Sequence, residues 1–454
     1  MENTVAELVF IPAPAVGDIM STVEMAKVLV KCDQRLSVTV LLMNPPFSIL
    51  ALTTYIESLA KNILEHIRFV QVPQEQTPPK LDPIAPFISF TEFINSHCKS
   101  VRNILKDVMD QTGCSRVADE FNPPTDVYFP SNAAFLGFKL HFETLYVDQN
   151  QDLIELANSE GEIVIPSFVN PIPMKVFPDP YQKQDGLDFL ICAIGKMRKA
   201  KGIMVNTFLE LETHAMKSFS GTNFPPVYPV GPVLNLDGVI RIVDESDVFS
   251  WLDSQPPSSA QVKEIARGLE QSGHRFVWSL RRLPPPEQSF QVLPDDYDDP
   301  RVVLPDGFQE RTSGIGRVIG WAPQVSLLAH EAVGGFVSHC GWNSMLESLW
   351  FGVPTATLPM YWEQQMNAFE MVVELRLAVD LKLDYKMNVH NSEGDMVIVT
   401  AEEIETGIRQ LMENKEVRAK VKEMNKMSRE TVAKGGSSYS SVGYILKEIM
   451  TNVI

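Results

Sequence analysis

Along this chain, short apolar runs alternate with segments whose apolar residues recur every three to four positions. Residues 8–12 form the first run, closed by Pro12, and residues 38–43 and 67–72 form the next two. Between the first two lies a loop carrying Pro14 and Gly17, then a helical pattern through Met20, Val23, Ala26 and Val30. Parallel strands joined by crossover helices have this rhythm, because a strand covered on both faces reads as one continuous apolar run. The rhythm returns at 202–206 and 227–230. It returns again at 276–280, behind a helical stretch over 262–271, and at 335–338 and 355–358 with a helix between them. Thr400, with Glu403 three residues on, predicts a capping box heading a late helix whose apolar face carries Ile404, Ile408 and Leu411. The pattern predicts an α/β protein of two doubly wound, Rossmann-like domains facing a cleft. Their boundary is expected in the unpatterned stretch before Trp251, dividing the chain into 1–238 and 239–454.

The rhythm breaks twice. A helical pattern over 101–109 leads through a polar stretch, 110–115, to a second helical start near Val117, with no apolar strand between them. Likewise the Pro-rich segment 251–259 runs straight into a helix at Ala260. A βα alternation needs a strand at each point, so the chain reads as lacking two internal segments. Each absent strand would leave unpaired sheet edges and a gap in the core.

Composition narrows the function. With 39 basic and 57 acidic residues the formal net charge is −18, which opposes a phosphate backbone or an anionic membrane surface. No run reaches the roughly 18 uncharged apolar residues that a bilayer span requires. Five cysteines, none in a CxxC pair, fit a reducing compartment better than a disulfide framework. Met1-Glu2-Asn3-Thr4 has no basic n-region and no cleavage pattern, so it does not read as a signal peptide and a cytoplasmic location is expected. An anionic small molecule would need a local site made of backbone amides or a few cations.

The stretch 321–364 supplies one, WAPQVSLLAHEAVGGFVSHCGWNSMLESLWFGVPTATLPMYWEQ. A strand over 335–338 ends at His339-Cys340-Gly341, and a helix begins at Trp342-Asn343-Ser344. The free amides and partial positive charge of a helix N-terminus suit a phosphate, and Gly341 lets the anion approach the backbone. His339 adds a possible donor. Glu347, three residues past Ser344, is placed to accept from a ribose, and Glu363-Gln364 offer acceptors and donors for sugar hydroxyls.

This stretch resembles the signature box of plant secondary-product UDP-glycosyltransferases and matches it in length. The resemblance extends to Glu24-Met25-Ala26-Lys27, Phe168-Val169-Asn170-Pro171-Ile172-Pro173, Val205-Asn206-Thr207-Phe208, Tyr228-Pro229-Val230-Gly231-Pro232 and Trp251-Leu252-Asp253. It is similar in particular to the branch that glucosylates flavonoids and other small phenolics. The resemblance implies a GT-B arrangement, with the acceptor held mainly in 1–238 and the UDP-sugar in 239–454. The last helix becomes a candidate to pack back on the N-terminal domain. It implies that Trp321 stacks on uracil, with Ala322 and Gln324 at the base and ribose edge. His339, Gly341, Trp342, Asn343 and Ser344 would hold the diphosphate, Glu347 the ribose, and Glu363 and Gln364 the sugar, with Gln364 suggesting glucose. UDP-glucose would be a co-substrate, with no further cofactor and no metal, and a monomer is expected.

Taken one at a time, these residues have plainer readings. Trp321 could be a core aromatic, Glu347 an exposed helix residue, Glu363 a solvated turn residue, and Cys340 a small packing group. His339-Cys340 has no partner pair at metal-ligand spacing. Gly314-Ile315-Gly316-Arg317 resembles the start of a dinucleotide loop but precedes a strand instead of following one. Matches at fixed spacing throughout the box outweigh the single alternatives.

The chain departs from the family at its base. The resemblance places a catalytic histidine in the first loop, where this chain has Asp18. An ordinary Asp titrates near 3.9 against about 6.5 for His, so Asp18 is expected to be a weaker base, or else a plain helix cap. The aspartate that orients the family's histidine would lie on the strand absent after Met109, and neither Asp110 nor Asp119 sits in a matching context. The expected activity is inverting transfer of glucose to a phenolic hydroxyl. The alternative is a catalytically impaired homologue that still binds UDP-sugar. Trp362, where the family has a small residue, is expected to narrow the acceptor pocket.

Overall fold

The computed structural model describes residues 6–43, 66–74, 86–111, 124–236, 259–282, 295–360, 362–383 and 398–451. The expected boundary at 238/239, the Trp251-Leu252-Asp253 motif, the second helical start near Val117 and Asp119 lie outside them.

In the N-terminal half, β1 (Ala6–Phe10), β2 (Leu36–Leu42) and β3 (Ile67–Gln71) form a parallel sheet in the order β1-β2-β3. In its register Leu8 pairs with Val38, and Val38 with Ile67. Helix α1 (Val16–Cys32) is the crossover between β1 and β2, with Ile19, Val23 and Ala26 buried against Val38, Val40 and Leu42. After helix α2 (Pro86–Gln111) a second parallel sheet follows, made of β4 (Val127–Phe129), β5 (Ile203–Val205) and β6 (Val227–Pro229). Between β4 and β5 lie α3 (Ala133–Val147) and α4 (Gln184–Met197). Helix α3 is apolar almost all round, and its phenylalanines form a buried stack in which Phe138 and Phe142 lie 5.1 Å apart.

The C-terminal half starts at α5 (Ser259–Ser272) and β7 (Phe276–Ser279). Strand β7 pairs in parallel with β8 (Gly316–Ile319). A separate parallel sheet, in the order β9-β10-β11, contains β9 (Phe336–Ser338), β10 (Thr355–Thr357) and β11 (Ala378–Asp380). Helix α6 (Trp342–Phe351) joins β9 to β10, and α7 (Gln364–Phe369) follows β10. The chain closes with α8 (Ala401–Glu413), α9 (Lys415–Val432) and α10 (Ser437–Thr451). The Thr400–Glu403 capping box forms as the spacing predicted. Helix α10 lies against the N-terminal half, with Val442, Ile445 and Leu446 in one cluster with Ala6, Met25 and Met204.

Apart from a short antiparallel pair in each, the parallel strands of each half are therefore split into two sheets among the described residues. A doubly wound sheet has the order 3-2-1-4-5-6, with its first and fourth strands adjacent. In the N-terminal half the break falls between β1 and β4. In the C-terminal half it falls between β7 and β9, where a first strand belongs. The stretches where the hydrophobic rhythm failed, 110–115 and 251–259, lie mostly outside the described residues. Val277 on β7 and Val337 on β9 are 54% and 41% exposed, although strands at the centre of a parallel sheet are normally covered on both faces. On the N-terminal side, Ala6 and Leu36 share a core with Met204, and Ser21 on α1 hydrogen-bonds Tyr128 on β4 at 2.8 Å.

Candidate functional site

The site forms where the carboxyl ends of both sets of strands converge. On the C-terminal side, β9 ends at Ser338 and the chain turns sharply into α6. Cys340 adopts φ 68°, a left-handed conformation uncommon outside glycine, and Gly341 is the N-cap of α6. No side chain caps this end and no acidic residue lies in its first turn, so the first-turn amides of Trp342, Asn343 and Ser344 carry the helix's positive end. A Cβ on Gly341 would lie 2.5 Å from Nε2 of His339, so the imidazole rests directly against the N-cap backbone. Burial pushes the His339 pKa down to about 4, which keeps the ring neutral at pH 7.

The segment 321–324 is tied to this mouth. Nε2 of Gln324 donates to Oγ of Ser344 at 3.1 Å and to Oε2 of Glu347 at 2.6 Å, all three residues being buried. Burial raises the Glu347 pKa to about 7, while the Gln324 hydrogen bond opposes the shift. Ala322 is buried beside them, and Trp321 is half-buried. The Trp321 amide donates to Oδ1 of Asp296 at 3.0 Å, and the same oxygen lies 2.7 Å from Nε of the fully buried Arg281. Trp342 points elsewhere: its indole N–H donates to the carbonyl of Asn206 at 2.7 Å, so the part of Trp342 facing the mouth is its backbone. The side chain of Asn343 is exposed.

A chain of amides joins this mouth to the N-terminal half. Nδ2 of Asn367 on α7 donates to the carbonyl of Cys340 at 2.9 Å, and Nδ2 of Asn132 donates to Oδ1 of Asn367 at 2.6 Å. Asn132 is the N-cap of α3 and accepts from the Phe135 amide, and Glu212 accepts from the amides of Ala133 and Ala134. Glu370, behind α7, abuts Glu212; burial and that second carboxylate raise its pKa.

The acceptor side brings together residues from distant segments. Asp18 sits in the first turn of α1, whose N-cap, Ala15, offers no side-chain cap. Burial, reinforced by the charge of Glu363, pushes its pKa up to about 6, and Lys139 on α3 opposes the shift. Glu363 is the N-cap residue of α7; burial raises its pKa too, and Lys139 again pulls the other way. Lys139 itself is held below the ordinary lysine range by burial, with both carboxylates opposing. Its Nζ lies 4.9 Å from the centroid of the Phe135 ring and 5.5 Å from that of Phe129. Gln364 is fully buried and its Oε1 accepts from the Met360 amide at 3.0 Å. Trp362 takes φ 59°, is 38% exposed, and meets the Phe87 ring of α2 edge-on at 5.5 Å. Phe87 in turn contacts Phe189 of α4.

The structure thus gathers Trp321, Ala322, Gln324, His339, Gly341, Ser344 and Glu347 at one helix mouth, and Asp18 with Glu363 across the cleft. Sequence reasoning missed Lys139, the Arg281–Asp296 pair and the Asn132–Asn367 link. A lone lysine in an otherwise apolar helix was the available signal for Lys139; the other two arise only from tertiary contact. Among the described residues, no group of three or more His, Cys, Asp or Glu side chains could hold a metal ion, and no helix is long and apolar enough to cross a membrane.

Known proteins share this arrangement. The family model described as UDP-glucoronosyl and UDP-glucosyl transferase matches residues 253–430. UDP-glycosyltransferase 71A15 of Malus domestica is 44% identical over 485 aligned positions, covering 98% of this chain and 99% of that protein. UDP-glucose flavonoid 3-O-glucosyltransferase 6 of Fragaria ananassa is also 44% identical, with the same coverage of both chains. The first alignment is longer than the 454 residues of this chain and reaches nearly to both ends of each protein, so that relative has internal residues this chain lacks. Among solved structures, a transferase from Siraitia grosvenorii in complex with UDP superposes with a TM-score of 0.79 at 40% identity, covering 98% of this chain and 99% of that one. Medicago truncatula UGT71G1 complexed with UDP-glucose does so with 0.77 at 33%, covering 98% of each.

Proposed function

This chain belongs to the plant UDP-glycosyltransferases, and from that premise we propose that it transfers glucose from UDP-glucose, with inversion, to a hydroxyl of a small phenolic acceptor such as a flavonoid. One observation carries the reading. At the amide-lined mouth headed by Gly341, Gln324 bonds Ser344 and Glu347, and Asp18 lies within electrostatic reach of Glu363, which follows β10.

In this reading Trp321 covers the uracil, and Ala322 and Gln324 line the base and ribose edge. Glu347 accepts from the ribose, and the first-turn amides of α6 with His339 and Asn343 hold the diphosphate. Glu363 and Gln364 hold the sugar. Neutralisation of the diphosphate is assigned to the helix end, and no metal or further cofactor is invoked. The acceptor hydroxyl attacks the anomeric carbon from the face opposite the phosphate. As that C–O bond forms, the hydroxyl proton passes to Asp18, the anomeric C–O bond to the diphosphate breaks, and its electron pair leaves with UDP.

The environment of Asp18 supports its role. A pKa of about 6 lies close to the 6.5 of an ordinary histidine, so burial returns most of the basicity that an exposed aspartate would lack. A phenol is also a comparatively acidic acceptor, which lightens the demand on the base. The four cysteines among the described residues are free, which supports a cytoplasmic enzyme, and a monomer is the proposed working form.

The test is turnover of UDP-glucose with a panel of flavonols and coumarins, followed as glucoside formation. Glucoside above background is expected. No product from a sample that melts cooperatively would defeat the enzyme reading. A second reading, a UDP-sugar-binding homologue without turnover, is favoured by the split sheets. Calorimetric binding of UDP without glucoside formation would select it.

A further inference from the structure

Among the described residues of the cleft, the nucleotide-sugar reading leaves the Lys139 ammonium without a task. We propose that Lys139 is a positioning residue for the transfer: seated between the rings of Phe129 and Phe135, its ammonium faces Asp18 and Glu363 together and keeps Asp18 in the carboxylate form that receives the acceptor's proton. The inference rests on the assignment of Asp18 as base and adds to it the group that makes that base usable.

The geometry fixes the ammonium. Phe135 is one turn before Lys139 on α3, so the two side chains lie on the same helix face. Phe129 ends β4 at the same edge of the cleft. The faces of the two rings, 4.9 and 5.5 Å from Nζ, attract a cation and confine it. Each carboxylate comes from a different half of the molecule, Asp18 from the start of α1 and Glu363 from the turn before α7. Glu363 raises the proton affinity of Asp18 across the cleft, and a nearby cation opposes that rise.

The other groups around Asp18 do not supply that charge. Tyr128 on β4 is held in its phenol form by burial and bonds Ser21. On α1 itself, Glu24 is a further acid, paired with Lys27 at 2.7 Å. Lys139 is therefore the cation that opposes protonation of both Asp18 and Glu363. It neither gains nor loses a proton in the transfer. Its contribution is to set the pH at which Asp18 empties.

The experiment follows kcat/KM against pH, from 5 to 10, with UDP-glucose and 4-methylumbelliferone for the parent, K139M, K139Q, K139R and D18N. Calorimetric UDP binding serves as the check on folding. K139M and K139Q are expected to move the acid limb up by about one pH unit or more, the scale of losing one opposite charge at close range. At pH 6 the rate should fall about fivefold, while at pH 9 it should stay within about twofold of the parent. K139R should restore the parent limb. A loss equal at every pH, or an unmoved limb, would overturn the proposal. D18N separates the two levels. If D18N abolishes turnover while K139M leaves the limb in place, the Lys139 proposal fails alone. If D18N turns over like the parent, Asp18 is not the base and both fail.

Discussion

The two walls of the cleft are built differently. The nucleotide wall comes from one contiguous stretch, 321–364, whose residues bond to one another: Gln324 to Ser344 and Glu347, His339 against Gly341. The acceptor wall is assembled from α1, β4 and α3, with Glu363 reaching over from the opposite half; Ser21 bonds Tyr128 between α1 and β4, and Lys139 interacts electrostatically with Asp18 and Glu363. A wall made from one segment keeps its geometry when the sheet behind it is cut. A wall made from distant segments depends on the packing between them. The breaks between β1 and β4 and between β7 and β9 should therefore weigh more heavily on acceptor handling than on UDP binding.

Three measurements can break or sharpen this contrast. The largest effect is expected from Trp321→Ala. Base–aromatic stacking contributes about 1–3 kcal/mol, so UDP affinity measured by calorimetry should fall by roughly 5- to 150-fold, with the acid limb of turnover unmoved. A shift of that limb would show that the walls are not independent.

The next concerns pH. Glu347 titrates near 7 in the free protein, and its carboxylate form is the better acceptor for ribose hydroxyls. Ligation favouring the ionised form must tighten as protons leave, so UDP should bind more strongly at pH 8 than at pH 6, by up to about tenfold. Glu347→Gln should flatten that dependence. A dependence unchanged in the variant would assign it to another group.

The smallest effect is expected from Trp362→Ala. Removing the indole from its contact with Phe87 opens the acceptor side without touching the nucleotide wall. The KM for bulkier phenolics should fall by about threefold, the scale of one modest hydrophobic adjustment. An unchanged acceptor profile would place Trp362 outside the pocket.

The contrast also explains what could be read in advance. The strands β1, β2, β3, β5, β6, β7, β9 and β10 show as apolar runs, and in β2, β5 and β10 nearly every residue is buried, which leaves a local signature. The nucleotide wall is legible for a related reason: its chemistry needs fixed spacing along one strand–turn–helix unit. The split of the parallel strands among the described residues accompanies two breaks in the rhythm, at 110–115 and 251–259, most of which lie outside those residues. What stayed hidden depends on contact between distant residues. Strand β4, three half-buried residues beside Pro130, has too short a run to register. Asp18 looks like an ordinary weak carboxylate until burial and Glu363 act on it. Lys139 sits in α3 among phenylalanines, and nothing near it along the chain shows that its charge faces α1 and the turn at Glu363.

The link from Asn132 through Asn367 to the Cys340 carbonyl has a consequence for the catalytic cycle. Parting the two halves far enough to discharge a bulky glucoside means separating the Asn132 and Asn367 amides, both of them buried. Each group stranded without a partner costs about 1–3 kcal/mol until water reaches it. In the proposed transfer, any product exit that separates these amides would carry that cost, which would make this small clasp a brake on how often the cleft can breathe.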